Sequence, residues 1–143
     1  MTFYDTFQDM TASGDFSQLH EALPYSKFMG ITLSEEAGRI VTTMAYDDKL
    51  IGNTSLPALH GGTLAALLEL AALFQIAHEI ETEKMPKVIT LTVDYMRSGG
   101  PKDTFASARA TRVGRRVANV VATAWQDNPE KPVASANVNF LLA

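Results

Sequence analysis

The sequence predicts an α+β fold in which a strongly curved antiparallel sheet wraps one long central helix. Three features of the chain carry this. From Leu64 to Ala77 apolar residues occur on every side of a helical wheel, broken only by Glu69 and Gln75, and a helix that is apolar all round must be buried. Four strand-like segments then follow in succession, at 89–95, 105–113, 117–125 and 133–142. Those strands are short of large residues on one side, with Ala106, Ala108 and Ala110, then Ala118, Ala122 and Ala124, then Ala134 and Ala136. Small side chains let a sheet close tightly around a helix.

The 143 residues suit a single domain over 1–143, with 1–23 as an N-terminal extension and short helix. The net charge of -4 argues against a broad nucleic-acid surface. Without cysteine there are no disulfides, thiol nucleophiles or thiolate metal sites. His20, His60 and His78 are too widely spaced for a zinc motif, so no metal is expected. The first ten residues carry acids where a signal peptide would carry bases, and no apolar run follows, so a cytoplasmic location is expected.

In chain order, residues 1–12 are mixed and polar and read as loosely held. Asp15 to Leu23 reads as a short helix, capped by Ser13 or Asp15 and stopped by Pro24, with His20 as a packing or surface residue. Ile31–Ser34 and Ile40–Tyr46 flank Ala37-Gly38 as a hairpin. Asp47 to Ala58 is a loop rich in turn residues that leads into the long helix, placed from about His60 to about Ile80. That helix is judged too short and too interrupted to span a bilayer, which needs roughly 20 apolar residues. In the first strand after it, Ile89, Leu91, Val93 and Tyr95 alternate with Thr90, Thr92 and Asp94, which predicts one apolar face. Trp125 and Phe140 are read as core.

Glu69 is the residue that this apolar pattern does not explain. A buried carboxylate is costly unless paired, or else its pKa rises. Pattern alone leaves two readings open: a general base or nucleophile in a partly dry site, or an acid at the helix edge that reaches solvent or pairs with an arginine. Gly61 and Gly62 stand at the helix start, where free N–H groups and the positive end of the dipole favour an oxyanion. Glu69 lies about 10 Å further along the axis than Gly62, and about 900° of rotation from His60 puts it on the opposite face from that residue. The two ends cannot serve one small group within a single chain. A two-fold dimer, with the helix start of one subunit facing Glu69 of the other, is the simplest arrangement that unites them.

Ile51-Gly52-Asn53, Leu59-His60-Gly61-Gly62 followed six residues later by Glu69, Val93-Asp94-Tyr95-Met96-Arg97 and Gly114-Arg115-Arg116 together resemble the hotdog-fold thioesterases of the phenylacetate-degradation (PaaI-like) group. The resemblance runs from about Pro24 to Phe140. It implies hydrolysis of an acyl-CoA thioester to a carboxylic acid and free coenzyme A. It implies further that the Gly61 N–H polarises the thioester carbonyl, that His60 and a loop Asn, taken as Asn53, help to hold the site, and that Glu69 of the facing subunit acts as general base or nucleophile. Many relatives carry Asp where this chain has Glu69. Gly62 and Thr92 (or Thr90), the latter as a hydroxyl that orients water, join the substrate-binding set. Arg97, Arg115 and Arg116, with Arg112 as a further candidate, would meet the coenzyme A phosphates. Phe74, Leu67 and Leu70 are candidates for the acyl pocket. No cofactor is implied, coenzyme A being part of the substrate. The expected partners are that substrate and a second copy of the chain, as a homodimer with interfacial sites and a tetramer of two dimers, with no nucleic acid and no membrane. A non-catalytic acyl-CoA-binding or sensing module is the alternative. A dehydratase of the same fold would want an Asp–His pair, and only Asp47 and Asp48 lie upstream of His60.

Overall fold

Thr2 opens the first helix through a reciprocal cap: its hydroxyl accepts from the Asp5 N–H and the Asp5 carboxylate accepts from the Thr2 N–H. The computed structural model describes residues 1–142. Helix α1 (Phe3–Ser13) ends on Gly14 in the left-handed conformation. It is not loosely held, as its composition suggested. Phe7 and Met10 are buried, and the Phe7 ring stacks on Phe74 with centroids 5.8 Å apart. Phe3, Phe7 and Met10 recur at helical spacing, but over too few turns for the pattern to stand out.

Helix α2 (Ser17–Ala22) begins where the Asp15 carboxylate accepts from the Ser17 N–H at 3.0 Å. Pro24 ends it as expected and also starts another, α3 (Pro24–Phe28), because a missing N–H is harmless at a first helical position. His20 bonds the carbonyl of Ile31 at 3.1 Å, a packing role. Strands β1 (Ile31–Glu36) and β2 (Arg39–Met44) form the expected hairpin, and both Ala37 and Gly38 take the positive φ that a tight two-residue turn requires.

The loop before the long helix contains a 3-10 turn at Asp48–Leu50 and a small ribbon of β3 (Ile51–Asn53) with β4 (Ala58–Leu59). Helix α4 (Gly61–Glu79) lies between His60 as N-cap and Ile80 as C-cap, close to the expected bounds. Strands β5 (Lys87–Tyr95), β6 (Thr104–Val113), β7 (Val117–Trp125) and β8 (Ala134–Leu141) follow. The main sheet is antiparallel with strand order β1-β2-β6-β7-β8-β5.

The alanines do what the pattern required. Ala106, Ala108, Ala118, Ala122, Ala124, Ala134 and Ala136 are buried and Ala110 is half-buried against the core, so the sheet lies close against α4. Gln75, buried in α4, accepts from the Ile40 N–H at 2.8 Å and donates to the Gly38 carbonyl at 3.4 Å, which fastens the helix to the first hairpin. By length and composition alone α4 would be enough to cross a membrane, contrary to the first reading. Its enclosure by the sheet is what marks it as a core helix.

Two side-chain placements differ from expectation. A register irregularity between Val88 and Thr90 turns Ile89 outward to 53% exposure, leaving Val88, Leu91 and Val93 on the helix side. Trp125 is not in the buried core: Ala124 takes the inward position, and Trp125 is half-buried on the outer face, 6.1 Å from the Phe105 ring. Phe140 is fully buried, as read.

Candidate active site

The start of α4 is built by its own cap. His60 Nδ1 accepts from the Gly62 N–H at 2.8 Å, which puts the proton of the neutral ring on Nε2. The His60 carbonyl takes the Thr63 N–H at 3.0 Å and its hydroxyl at 2.6 Å. Gly61 N–H therefore remains as the first-turn donor without an acceptor among the described residues, at the positive end of a 19-residue helix.

Glycine is needed around this cap for contact reasons. A Cβ on Gly52 would lie 2.7 Å from His60 Cα, and one on Gly62 would lie 2.9 Å from His60 Nδ1. Tyr95, at the end of β5, donates its hydroxyl to the Gly61 carbonyl at 2.8 Å, and its ring would be 3.3 Å from a Cβ on Gly61. Sequence reasoning treated Tyr95 as a strand residue only. The signal was its place in the Val93–Arg97 motif.

Glu69 is half-buried on the one side of α4 that the sheet leaves open, with Gly62, Ala65, Ala66 and Leu70 at helical spacing around it. Burial pushes its carboxyl above the ordinary glutamate range. It has no hydrogen-bond or ion-pair partner among the described residues, so pairing with an arginine is not realised within the chain. Beside it opens an apolar hollow of about 240 Å³, lined by Leu23, Pro24, Tyr25, Ser26, Ala66 and Leu70. Of the three residues proposed for an acyl pocket, only Leu70 lines it. Leu67 and Phe74 are fully buried in the core. The α2–α3 turn was not foreseen as a wall.

The remaining candidates separate. Asn53 Oδ1 accepts from the N–H groups of Ser55 and Leu56, so its oxygen is spent on its own turn. Thr92 pairs with Asn137 in the row that also holds Val121 and Arg109, which is the outer face. The sheet thus stands between Thr92 and α4, and the neighbouring Thr90 accepts from Asn139 on the same outer face. Neither threonine is placed to orient water beside Glu69 of its own chain. Arg97 lies near the Gly61 end and donates to the Pro132 carbonyl at 2.7 Å.

Arg115 and Arg116 lie at the other end of the sheet. Tyr95 touches Gly61, whereas Lys87, at the far end of the same strand, pairs with Leu141 and through it with Val117. At about 3.3 Å per residue, the Gly114–Arg116 turn and Gly61 are roughly 25 Å apart along the strands. Arg112, Arg115 and Arg116 surround a groove of about 680 Å³ with Asn119 and Asn139, and no carboxylate pairs with these arginines among the described residues.

A curved antiparallel sheet around one helix, with a free N–H at the helix start and an acid on its open side, defines a hotdog-fold protein. Residues 56–141 match the model of the thioesterase superfamily, and the chain belongs to that family. It is 34% identical to a structure from Chromobacterium violaceum that covers 97% of both chains with a TM-score of 0.77. It is 25% identical over 135 residues to the medium/long-chain acyl-CoA thioesterase YigI of Salmonella typhimurium, covering 84% of this chain and 86% of that protein. A phenylacetic acid degradation-related protein of Ralstonia eutropha JMP134 shares the fold, with a TM-score of 0.79 at 21% identity over 94% of this chain and 98% of the other.

Proposed function

We propose that the protein hydrolyses an acyl-CoA thioester to a carboxylic acid and free coenzyme A, at sites shared by two copies of the chain. The observation that carries this reading is Glu69: an acid without a partner among the described residues, half-buried in apolar surroundings on the open side of α4. A carboxylate in that setting is suited to take a proton near neutral pH.

The Gly61 N–H of one copy binds the thioester carbonyl oxygen and stabilises the negative charge that develops there. Glu69 of the second copy takes a proton from water as the water oxygen bonds to the carbonyl carbon. The C–S bond then breaks, and the sulfur leaves as thiolate and takes the proton that Glu69 holds. Two copies are invoked because Gly61 and Glu69 are separated by about 12 Å along one helix axis. The groove around Arg112, Arg115 and Arg116 supplies unpaired cations for the coenzyme phosphates. It is roughly 25 Å from Gly61 of the same chain along the strands, and this reading assigns it to a substrate held mainly by the other copy.

The test is free-thiol release from acyl-CoA esters of short, medium, long and aromatic acyl groups, with wild type beside Glu69→Gln. Turnover that falls by about 10² or more in the variant supports the reading. Binding without turnover in the wild type would replace it with acyl-CoA sensing.

A further inference from the structure

We infer that the apolar hollow beside Glu69 is the acyl-binding site and that the turn between α2 and α3 is its selectivity wall. This rests on the thioesterase reading above. The hollow has about 240 Å³ on one copy of the chain and opens to solvent. Besides Glu69, the Tyr25 hydroxyl is the one side-chain polar group of the lining without a hydrogen-bond partner among the described residues. Pro24 has no N–H. The hydroxyl and N–H of Ser26 are both spent on the Leu23 carbonyl, at 2.6 and 2.9 Å, and Ser26 is 1% exposed. Ala66 and Leu70 form the opposite wall, one on each side of Glu69 along the open stripe of α4. Tyr25 closes the mouth, with its ring stacked on Phe28 at 5.4 Å and half-exposed. The wall at residues 23–26 precedes the segment matched by the family model, which starts at residue 56 and holds Gly61 and Glu69. Chain-length selection thus comes from a different part of the sequence than the reacting groups.

The experiment measures kcat/KM for acetyl-, butyryl-, octanoyl- and palmitoyl-CoA in the wild type, Ala66→Phe and Tyr25→Ala. Filling the hollow with Ala66→Phe lowers octanoyl-CoA turnover by about tenfold or more relative to acetyl-CoA. Opening the mouth with Tyr25→Ala raises palmitoyl-CoA relative to octanoyl-CoA. Because Tyr25 is at the surface, that variant keeps the test decisive should Ala66→Phe fail to fold. Equal scaling of every ester in both variants overturns the inference while leaving the thioesterase reading intact. If the wild type hydrolyses none of them, the reading of function fails, and binding of the octyl-CoA thioether decides the pocket by itself. Weaker binding in Ala66→Phe than in the wild type upholds the site, and equal binding removes it.

Discussion

The Tyr95 hydroxyl donates to the Gly61 carbonyl at 2.8 Å, so the last residue of an edge strand holds the first residue of the central helix. The peptide that follows this carbonyl carries the Gly62 N–H, which His60 accepts. Strand, cap and free Gly61 N–H are therefore one mechanical unit. Tyr95→Phe removes the hydrogen bond but keeps the ring. It is expected to cut kcat several-fold while shifting Tm little, because the site is exposed and a net hydrogen bond is worth only about 1 kcal/mol. Gly61→Ala would put a Cβ 3.3 Å from the Tyr95 ring, close enough that the ring must give by a few tenths of an ångström beside the free N–H, and it should lower kcat too. Equal kcat for all three proteins would detach Tyr95 from the site.

His60 can act as a cap, as a donor through Nε2–H, or as both, and two substitutions separate these. His60→Ala loses the cap and should destabilise by about 1 kcal/mol. His60→Asn restores an N-cap acceptor and so most of that stability. If Nε2–H contacts substrate, His60→Asn stays impaired in kcat/KM. Recovery of both Tm and activity in the Asn variant would limit His60 to capping.

Glu69 links pH to both activity and stability. Its carboxyl is raised by burial, so between the ordinary glutamate value of about 4.3 and the raised one the folded chain keeps a proton that the unfolded chain has lost. Stability attributable to this residue therefore falls as pH rises through that window. Glu69→Gln should melt higher than wild type at neutral pH, and the two should converge in acid below the ordinary value. Since the base must be ionised, the rising limb of kcat/KM should lie above the ordinary glutamate value. A limb at that value would mean that burial does not tune this group.

Arg115 and Arg116 without carboxylate partners predict a split between substrates. Replacing both by Ala should raise KM for CoA esters far more than for small synthetic thioesters that lack the nucleotide. An equal rise for both classes would remove the groove from coenzyme binding.

Phe7→Ala tests whether the N-terminal helix belongs to the fold. Loss of a fully buried ring stacked on Phe74 should cost about 3–5 kcal/mol. A surface helix that merely rests on the domain would show almost no change in Tm.

Much of the architecture is legible in the sequence because it depends on local patterns. The all-apolar run from Leu64 to Ala77, the Ala37-Gly38 turn and the alanine-bearing strands report nearest-neighbour periodicity and backbone preference, which the chain carries along its length. Of the candidate site, Glu69 is legible for the same reason: it is an acid interrupting an apolar pattern.

Other features depend on register and on contacts between distant segments. The irregularity at Val88 and Thr90 turns Ile89 outward although the alternation of side chains is intact in the sequence, because pairing with β8 sets the face. Pairing likewise puts Thr92 on the outer face, and it separates Arg116 from Gly61 by the length of a strand. Asn53 spends its oxygen on a turn. The wall opposite Glu69 comes from Leu23 to Ser26, more than 40 residues away in the chain, brought there by packing of the N-terminal helices. Local pattern marks the first hairpin, the long helix, the four later strands and the acid that is out of place. The tertiary structure decided which side chains share a surface with that acid, because a strand's facing and a helix's neighbours are properties of pairing rather than of the local chain.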